Sequence, residues 1–577
     1  MGRDPARIHL PGRLGEEPEE GTLVLGVEQR LEHVCHAAGE HRARERGSGA
    51  SAHIRGDLLA AGPPAHTPDT VSDPSLDALR ARMHELKDLG GVLGLLSWDQ
   101  ETYLPAKAGG ARSAQLATLQ GLYHQRLVAP EVGEWLERAE HGDLDADTRA
   151  MLKVFRRERD HAVRVPESLV RALAEAQSTG LETWRQARSE RRFDRFGPAL
   201  THLLELRREQ ADAVGHGGER YDALLDHFEP EMTTARLLPV LERLRSALVP
   251  LVDALDGAVQ APPVFDGRPF EAERQWEFTL QLLELLGFDL KAGRQDRSIH
   301  PFTGGTHPTD VRLTTRIDPL NPSPAVFGTL HEFGHGLYEQ GFAPEHHRTP
   351  LASSPSMGLH ESQSRLWENL VGRSLPFWGF LYPRLRAAFP EALGTVELEH
   401  FHRAINRVQR SPIRVEADEV TYNLHIVLRT SLEVRLLRDE LAVEDLPEAW
   451  NTEMERTVGL RPRDDVEGVL QDIHWAHGEF GYFPTYALGN LYAASLMRAV
   501  ERALPSLWDE VAKGELGSLR AWLHENVHRH GARLSAEERV QEITGQGLTD
   551  ADFLGYLRGK YGALSGRSLP ASSESVA

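Results

Sequence analysis

Between Val326 and Gly341 the apolar residues Val326, Leu330, Phe333 and Leu337 recur at helical spacing, which predicts an amphipathic helix seated in a core. Its ends are legible too: Ser323 offers an N-cap, Pro324 suits the first helical position and Gly341 suits the C′ position. Gly334 and Gly336 each cost roughly 1 kcal/mol against Ala inside a helix, so something is expected to pack close to the backbone there. Similar helical spacing predicts a helix over Asp77 to Leu96, ending in a polar-aromatic turn at Trp98, Asp99 and Tyr103 and running on into a second helix. More helices are predicted through Pro166–Gly215 and Thr233–Asp256, and another opens near Leu359. Just ahead of the Val326 stripe the period falls to two, with Val311, Leu313, Thr315 and Ile317 alternating against polar neighbours after a Gly304-Gly305 turn. The fold expected is mainly α with a small β-sheet beside the central helix, and an edge strand there can hold an extended peptide by main-chain hydrogen bonds.

Residues 1–73 differ from the rest in being rich in Gly, Pro, Arg and Glu, with one helical stretch at Leu23–His41. They are expected to be disordered or loosely attached, followed by one domain over 74–563 and a flexible tail over 564–577. The net charge of −21 over 577 residues argues against nucleic acid or an anionic membrane as partner. No run of 18 apolar residues and no apolar signal core appear, and Cys35 is the single cysteine, so a cytoplasmic protein without internal disulfides is expected. Thiolate metal sites are thereby excluded, leaving histidine and carboxylate as ligands.

The central helix carries such ligands. His331, Glu332 and His335 spell HExxH, which on a helix presents two imidazoles on one face to one ion. Glu332 sits roughly 100° round from His331 and can reach a water held by that ion as general base. Glu361, in the first turn of the next helix, is a carboxylate able to complete a His₂Glu set. Taken alone it reads as a solvated helix face.

Further blocks follow in order. His300-Pro301-Phe302, Asp310-Val311-Arg312-Leu313-Thr314, His331 to His335, His360 to Gln363, Ile413 to Asp418 and Gly468 to Trp475 together resemble the carboxypeptidase Taq family of metallocarboxypeptidases. The resemblance extends through SWDQETYLP, HFEPEMTT and WLHENVHRHG, covering about residues 76 to 563. It implies a helical clamshell-like metallopeptidase with a deep groove, acting as a homodimer on peptide C-termini with broad specificity and poor cleavage at proline. It also implies Zn²⁺, or another divalent ion such as Co²⁺, on His331, His335 and Glu361, with Glu332 as catalytic carboxylate. Arg414, and after it Arg312, are candidates for gripping the substrate carboxylate, and Tyr422 and His425 for donating to the oxyanion. His300, Arg312, Asp472 and His474 are expected to shape the groove. Two other readings share parts of this pattern: a zinc endopeptidase on a similar scaffold, and a peptide-binding protein with a vestigial site.

Overall fold

The computed structural model describes residues 74–570, apart from 216, 260, 262, 263 and 266. The extension 1–73, with the helix expected at Leu23–His41, and the last residues of the tail lie outside the described residues.

The fold is mainly helical and its apolar side chains gather into two principal cores. The smaller belongs to four consecutive helices, Pro74–Thr102, Gly109–Val128, Pro130–Glu140 and Ala146–Arg164, packed around Leu79, Met83, Leu136, Leu152 and Phe155. The larger runs from Trp184 to Tyr561 and holds the central helix. Between them lies a groove of about 940 Å³. Lys87, Gly91 and Leu95 of the first helix and Lys153 and Arg157 of the fourth line one wall; the HExxH helix and Phe483–Ala503 supply residues of the other.

The first helix is longer than its apolar pattern suggests, and Trp98 and Asp99 remain inside it. Trp98 is held there by tertiary contacts: Arg294 and Arg312, cross-strand neighbours, lie over its ring at 5.1 and 4.3 Å. Tyr103 adds a 2.5 Å hydrogen bond to Asp296. These contacts fasten the small core to the sheet.

That sheet has three strands, β1 (Gly293–Arg297), β2 (Thr303–His307) and β3 (Asp310–Thr315), in the order β1-β3-β2. The alternation correctly marks β3, but β3 is central, parallel to β1 and antiparallel to β2. The strand at the groove is β2, and Gly304-Gly305 lies within it rather than in a turn. Neither β1 nor β2 shows an apolar alternation, because each is short and an edge.

The HExxH helix spans Ser323–Gln340. Ser323 is its first residue rather than its cap, and its backbone N–H is taken by Asn321 (3.0 Å). Gly341 ends the helix as expected but in a right-handed conformation. Space explains the glycine: a Cβ there would lie 2.6 Å from that of His528. The two interior glycines also follow from close packing. A Cβ at Gly334 would lie 2.6 Å from Ser364 Cα, and one at Gly336 would strike Leu313. The next helix, Met357–Arg365, is capped by Ser356, whose Oγ accepts from Leu359 N (3.0 Å). It is wedged between Gly334 on one side and Gly489 of Phe483–Ala503 on the other, where a Cβ would meet Glu361 Cγ at 2.5 Å.

Candidate active site

His331, His335 and Glu361 converge, with one donor atom from each lying within 4.8 Å of the others. Glu361 Oε2 is 3.6 Å from His331 Nε2 and 3.4 Å from His335 Nε2. Electron-rich atoms this close need a cation or protons between them, so the donor set suits a divalent ion of the kind held by nitrogen and carboxylate. Glu361 Oε1 is taken by Arg365 Nε at 2.6 Å, and the single proton of Ser364 Oγ lies between the Glu361 carbonyl (2.6 Å) and Oε2 (3.0 Å). Burial opposes charge on Glu361, yet Arg365 and His331 outweigh it and hold the carboxyl well below its usual range.

A residue the motifs did not single out orients His331. Glu368 Oε2 lies 2.9 Å from His331 Nδ1, placing the ring proton there and leaving Nε2 for an ion. Burial again opposes its charge, but His331 and Arg365 bring the Glu368 carboxyl down to about 2. Glu368 reaches the ring from a π-helical segment, Leu366–Val371, inserted directly after the Glu361 helix. His335 is disposed differently. Burial, then the neighbouring His360, push its ring down to about 3, so it is neutral near neutral pH. The His360 ring stacks on it at 4.3 Å, and its Nδ1 has no hydrogen-bond partner among the described residues.

Glu332 lines the groove and its Oε2 accepts from Thr303 Oγ1 of β2 at 2.7 Å. Burial raises its carboxyl above the ordinary value, against the pull of His331. A carboxylate moved toward neutrality is a better proton carrier at pH 7.

The remaining candidates divide between the groove and the layer behind it. His300 lines the groove, as do Tyr482 and Tyr486, which the sequence shows only as part of an aromatic, Gly- and Pro-containing block. Asp472 lies behind, clasped by two arginines: Arg414 Nε at 2.8 Å and Arg429 Nε at 2.6 Å. His474 is fully buried with Nε2 3.3 Å from Tyr486 Oη. Burial and then Arg414 lower it to about 3, so it backs the tyrosine as a neutral ring. Arg414 donates to Tyr422 Oη at 3.1 Å, and the Tyr422 ring in turn lies under Arg365 at 4.7 Å. An unbroken series of contacts therefore joins Glu361, Arg365, Tyr422, Arg414 and Asp472.

None of Arg414, Tyr422, Asp472 and His474 lines the groove; they form the layer behind it, and two other expectations change outright. Arg312 is engaged by Asp310 through two 2.9 Å hydrogen bonds and covered by Trp98, and it does not line the groove; it docks the first helix instead. His425 is fully buried, away from the groove lining, and burial followed by Arg429 lowers its ring to about 3. That position withdraws it from donation to an oxyanion in the groove.

The family model for the carboxypeptidase Taq (M32) metallopeptidases matches residues 78–561. The chain belongs to that family. It is accordingly a metallocarboxypeptidase, a hydrolase of peptide bonds that requires a divalent metal. The thermostable carboxypeptidase 1 of Thermus thermophilus is 44% identical over 492 residues, 83% of this chain and 96% of that protein. Carboxypeptidase 1 of Bacillus subtilis is 36% identical, covering 82% and 95%. Among solved structures, the M32 carboxypeptidase of Deinococcus radiodurans R1 is 41% identical with a TM-score of 0.84, covering 86% of this chain and all of that one. The Pyrococcus furiosus carboxypeptidase gives 35% and 0.83, covering 85% and 100%. Among the described residues of this metallocarboxypeptidase, no helix is long and apolar enough to cross a membrane.

Proposed function

We propose that this metallocarboxypeptidase removes single residues from the free C-termini of peptides with broad specificity, using zinc held by His331, His335 and Glu361. The observation that carries this reading is the pairing of two unlike corners, the electron-rich His331–His335–Glu361 cluster and the Arg414–Asp472–Arg429 cluster. When bound, the ion supplies Lewis-acid polarisation of the scissile carbonyl and acidifies an attacking water. Glu332 takes that water's proton and passes it to the leaving amine, while Thr303 keeps the carboxylate aimed. Tyr482 and Tyr486 are the hydroxyls in the groove wall nearest this role in kind, and they donate to the developing oxyanion, with Tyr422 one layer behind. Arg414, buried one layer behind the groove lining, recognises the terminal carboxylate, because it shares its single counter-ion Asp472 with Arg429; Arg312 also stands outside the lining and has Asp310 to itself. The β2 edge at Thr303–Thr306 supports the peptide backbone. A homodimer acting in the cytoplasm completes the reading, supported by the family resemblance and by the single cysteine.

The decisive experiment compares one peptide as free acid and as C-terminal amide. A charge-assisted hydrogen bond is worth about 1.5–3 kcal/mol, so amidation is expected to lower kcat/KM by roughly 10- to 150-fold. Arg414→Ala is expected to slow the free acid by that factor and leave the amide nearly unchanged. Equal cleavage of acid and amide by the unaltered enzyme would replace this reading with an endopeptidase.

A further inference from the structure

The last helix, Ala551–Ser565, carries a charged cluster that no step above uses. Lys560 pairs with Glu419 Oε1 and donates to Tyr556 Oη at 3.0 Å. Tyr561 Oη donates to Glu419 Oε1 at 2.7 Å. The single proton of Tyr556 lies between Glu419 Oε2 (3.0 Å) and the carbonyl of Asn369 (3.3 Å). The Lys560 and Glu419 side chains are only 11% and 3% exposed. Burial depresses the Lys560 ammonium despite the glutamate beside it. An ion pair taken out of water is weak as a source of stability, and fixing one arrangement over others is its better attested use.

The two partners outside the helix belong to the two halves of the site. Glu419 stands five residues beyond Arg414 on the strap 413–421. The strap's interior is set by Asp418, which accepts from the backbone N–H groups of Gln409 (2.9 Å), Val420 (2.9 Å) and Thr421 (3.1 Å). Asn369 directly follows Glu368 in the π-helical segment that orients His331. One cluster thus touches both the carrier of Arg414 and the carrier of Glu368.

We propose that Lys560, Tyr556 and Tyr561 are positioning residues, which bracket the Arg414 strap and the Glu368 segment to one helix and so set the spacing between carboxylate grip and ion-binding imidazole. The inference rests on the reading of Arg414 given above. That spacing decides which bond of a held peptide meets the reacting groups, so small errors in it are expected to be felt in binding and rate.

The test uses the full-length Glu332→Gln protein loaded with zinc, in which turnover is expected to be slow enough for a binding measurement. Calorimetry gives Kd for one peptide as free acid and as amide, with zinc content measured alongside. Lys560→Met is expected to raise Kd for the free acid about tenfold while moving that of the amide less than about twofold. Tyr561→Phe, which removes one hydrogen bond to Glu419 and keeps the ring, is expected to shift the free acid about threefold in the same direction. If Lys560→Met does not fold, Tyr561→Phe decides the matter. Equal weakening of acid and amide, or no change in either, would overturn the bracket. Arg414→Ala in the same background separates the two claims. If it abolishes the acid–amide difference while the Lys560 and Tyr561 variants leave that difference intact, the bracket alone falls. If Arg414→Ala itself leaves the difference intact, the carboxylate is held elsewhere and both fall.

Discussion

The metal corner and the arginine corner are both buried and charged, and they are built on opposite principles. At the first, two imidazoles and a carboxylate turn their lone pairs toward one point, and Arg365 and Glu368 occupy atoms facing away. At the second, two guanidiniums share one carboxylate, Asp472, so the cluster carries an excess of positive charge. The first corner suits a cation and the second suits an anion. On the reading proposed above, a peptide C-terminus beside a divalent ion would satisfy both, and the second corner would turn an unspecific hydrolytic site into one that reads a chain end.

The sharpest way to break this division of labour is Glu332→Gln. Chemistry confined to the metal corner predicts a fall in kcat of about 10²- to 10⁴-fold with metal content by elemental analysis unchanged. Near-normal turnover with metal retained would place the base elsewhere. Asp472→Asn tests the second corner through stability. Arg414 and Arg429, almost wholly buried, would lose their shared counter-charge. The midpoint of denaturant unfolding is expected to drop by the equivalent of about 3–5 kcal/mol. An unchanged midpoint would mean that the arginines are compensated by something other than Asp472.

A smaller effect lies behind the arginine corner, at Glu433 on the helix that also carries Arg429. Glu433 accepts from Tyr221 Oη (2.8 Å), Trp475 Nε1 (2.8 Å) and Gly481 N (3.1 Å). Burial, against those donors, raises its carboxyl from 4.5 to about 7. The folded state therefore holds this proton more tightly than the unfolded chain. Its contribution is fully present below about pH 4.5 and is lost as pH rises toward 7, a decline of about 3 kcal/mol. Glu433→Gln is expected to flatten the unfolding free energy across that window, and an unaltered slope would assign the pH dependence to other groups. The smallest effect is expected from a chain starting at Ser75. If the domain begins at residue 74, as expected from the sequence, folding and peptide cleavage should both persist. Loss of cooperative unfolding would make the extension part of the fold.

The two corners also differ in how far they could be read in advance. His331, Glu332 and His335 were legible because a helix fixes the relation of residues four apart, and the surrounding apolar stripe establishes the helix. Glu361 needed the family resemblance, since a glutamate in a first helical turn carries no mark of its partner. Glu368 was invisible for a geometric reason: a π-helical segment shifts side chains off the α-helical faces on which spacing arguments rest. The strand β3 was legible from its alternation, whereas β1 and β2 were not, each being a short edge without an apolar face. Arg312 misled because its use depends on Trp98, more than 200 positions away in sequence, and His425 because no local pattern reveals complete burial. Tertiary contact, rather than local propensity, decided each of these.

The slot that holds the Glu361 helix has a further consequence. Its two sides are bare backbone, at Gly334 and at Gly489, so the helix has no clearance in which to slide or roll. The slot acts as a gauge: the place of Glu361 is dictated by how thin its walls are. Thickening either wall by one methyl group would displace Glu361 relative to the imidazoles while leaving every donor atom in the sequence. Affinity for an ion held by Glu361 and the imidazoles is thus expected to depend in part on two residues that offer it nothing to bind.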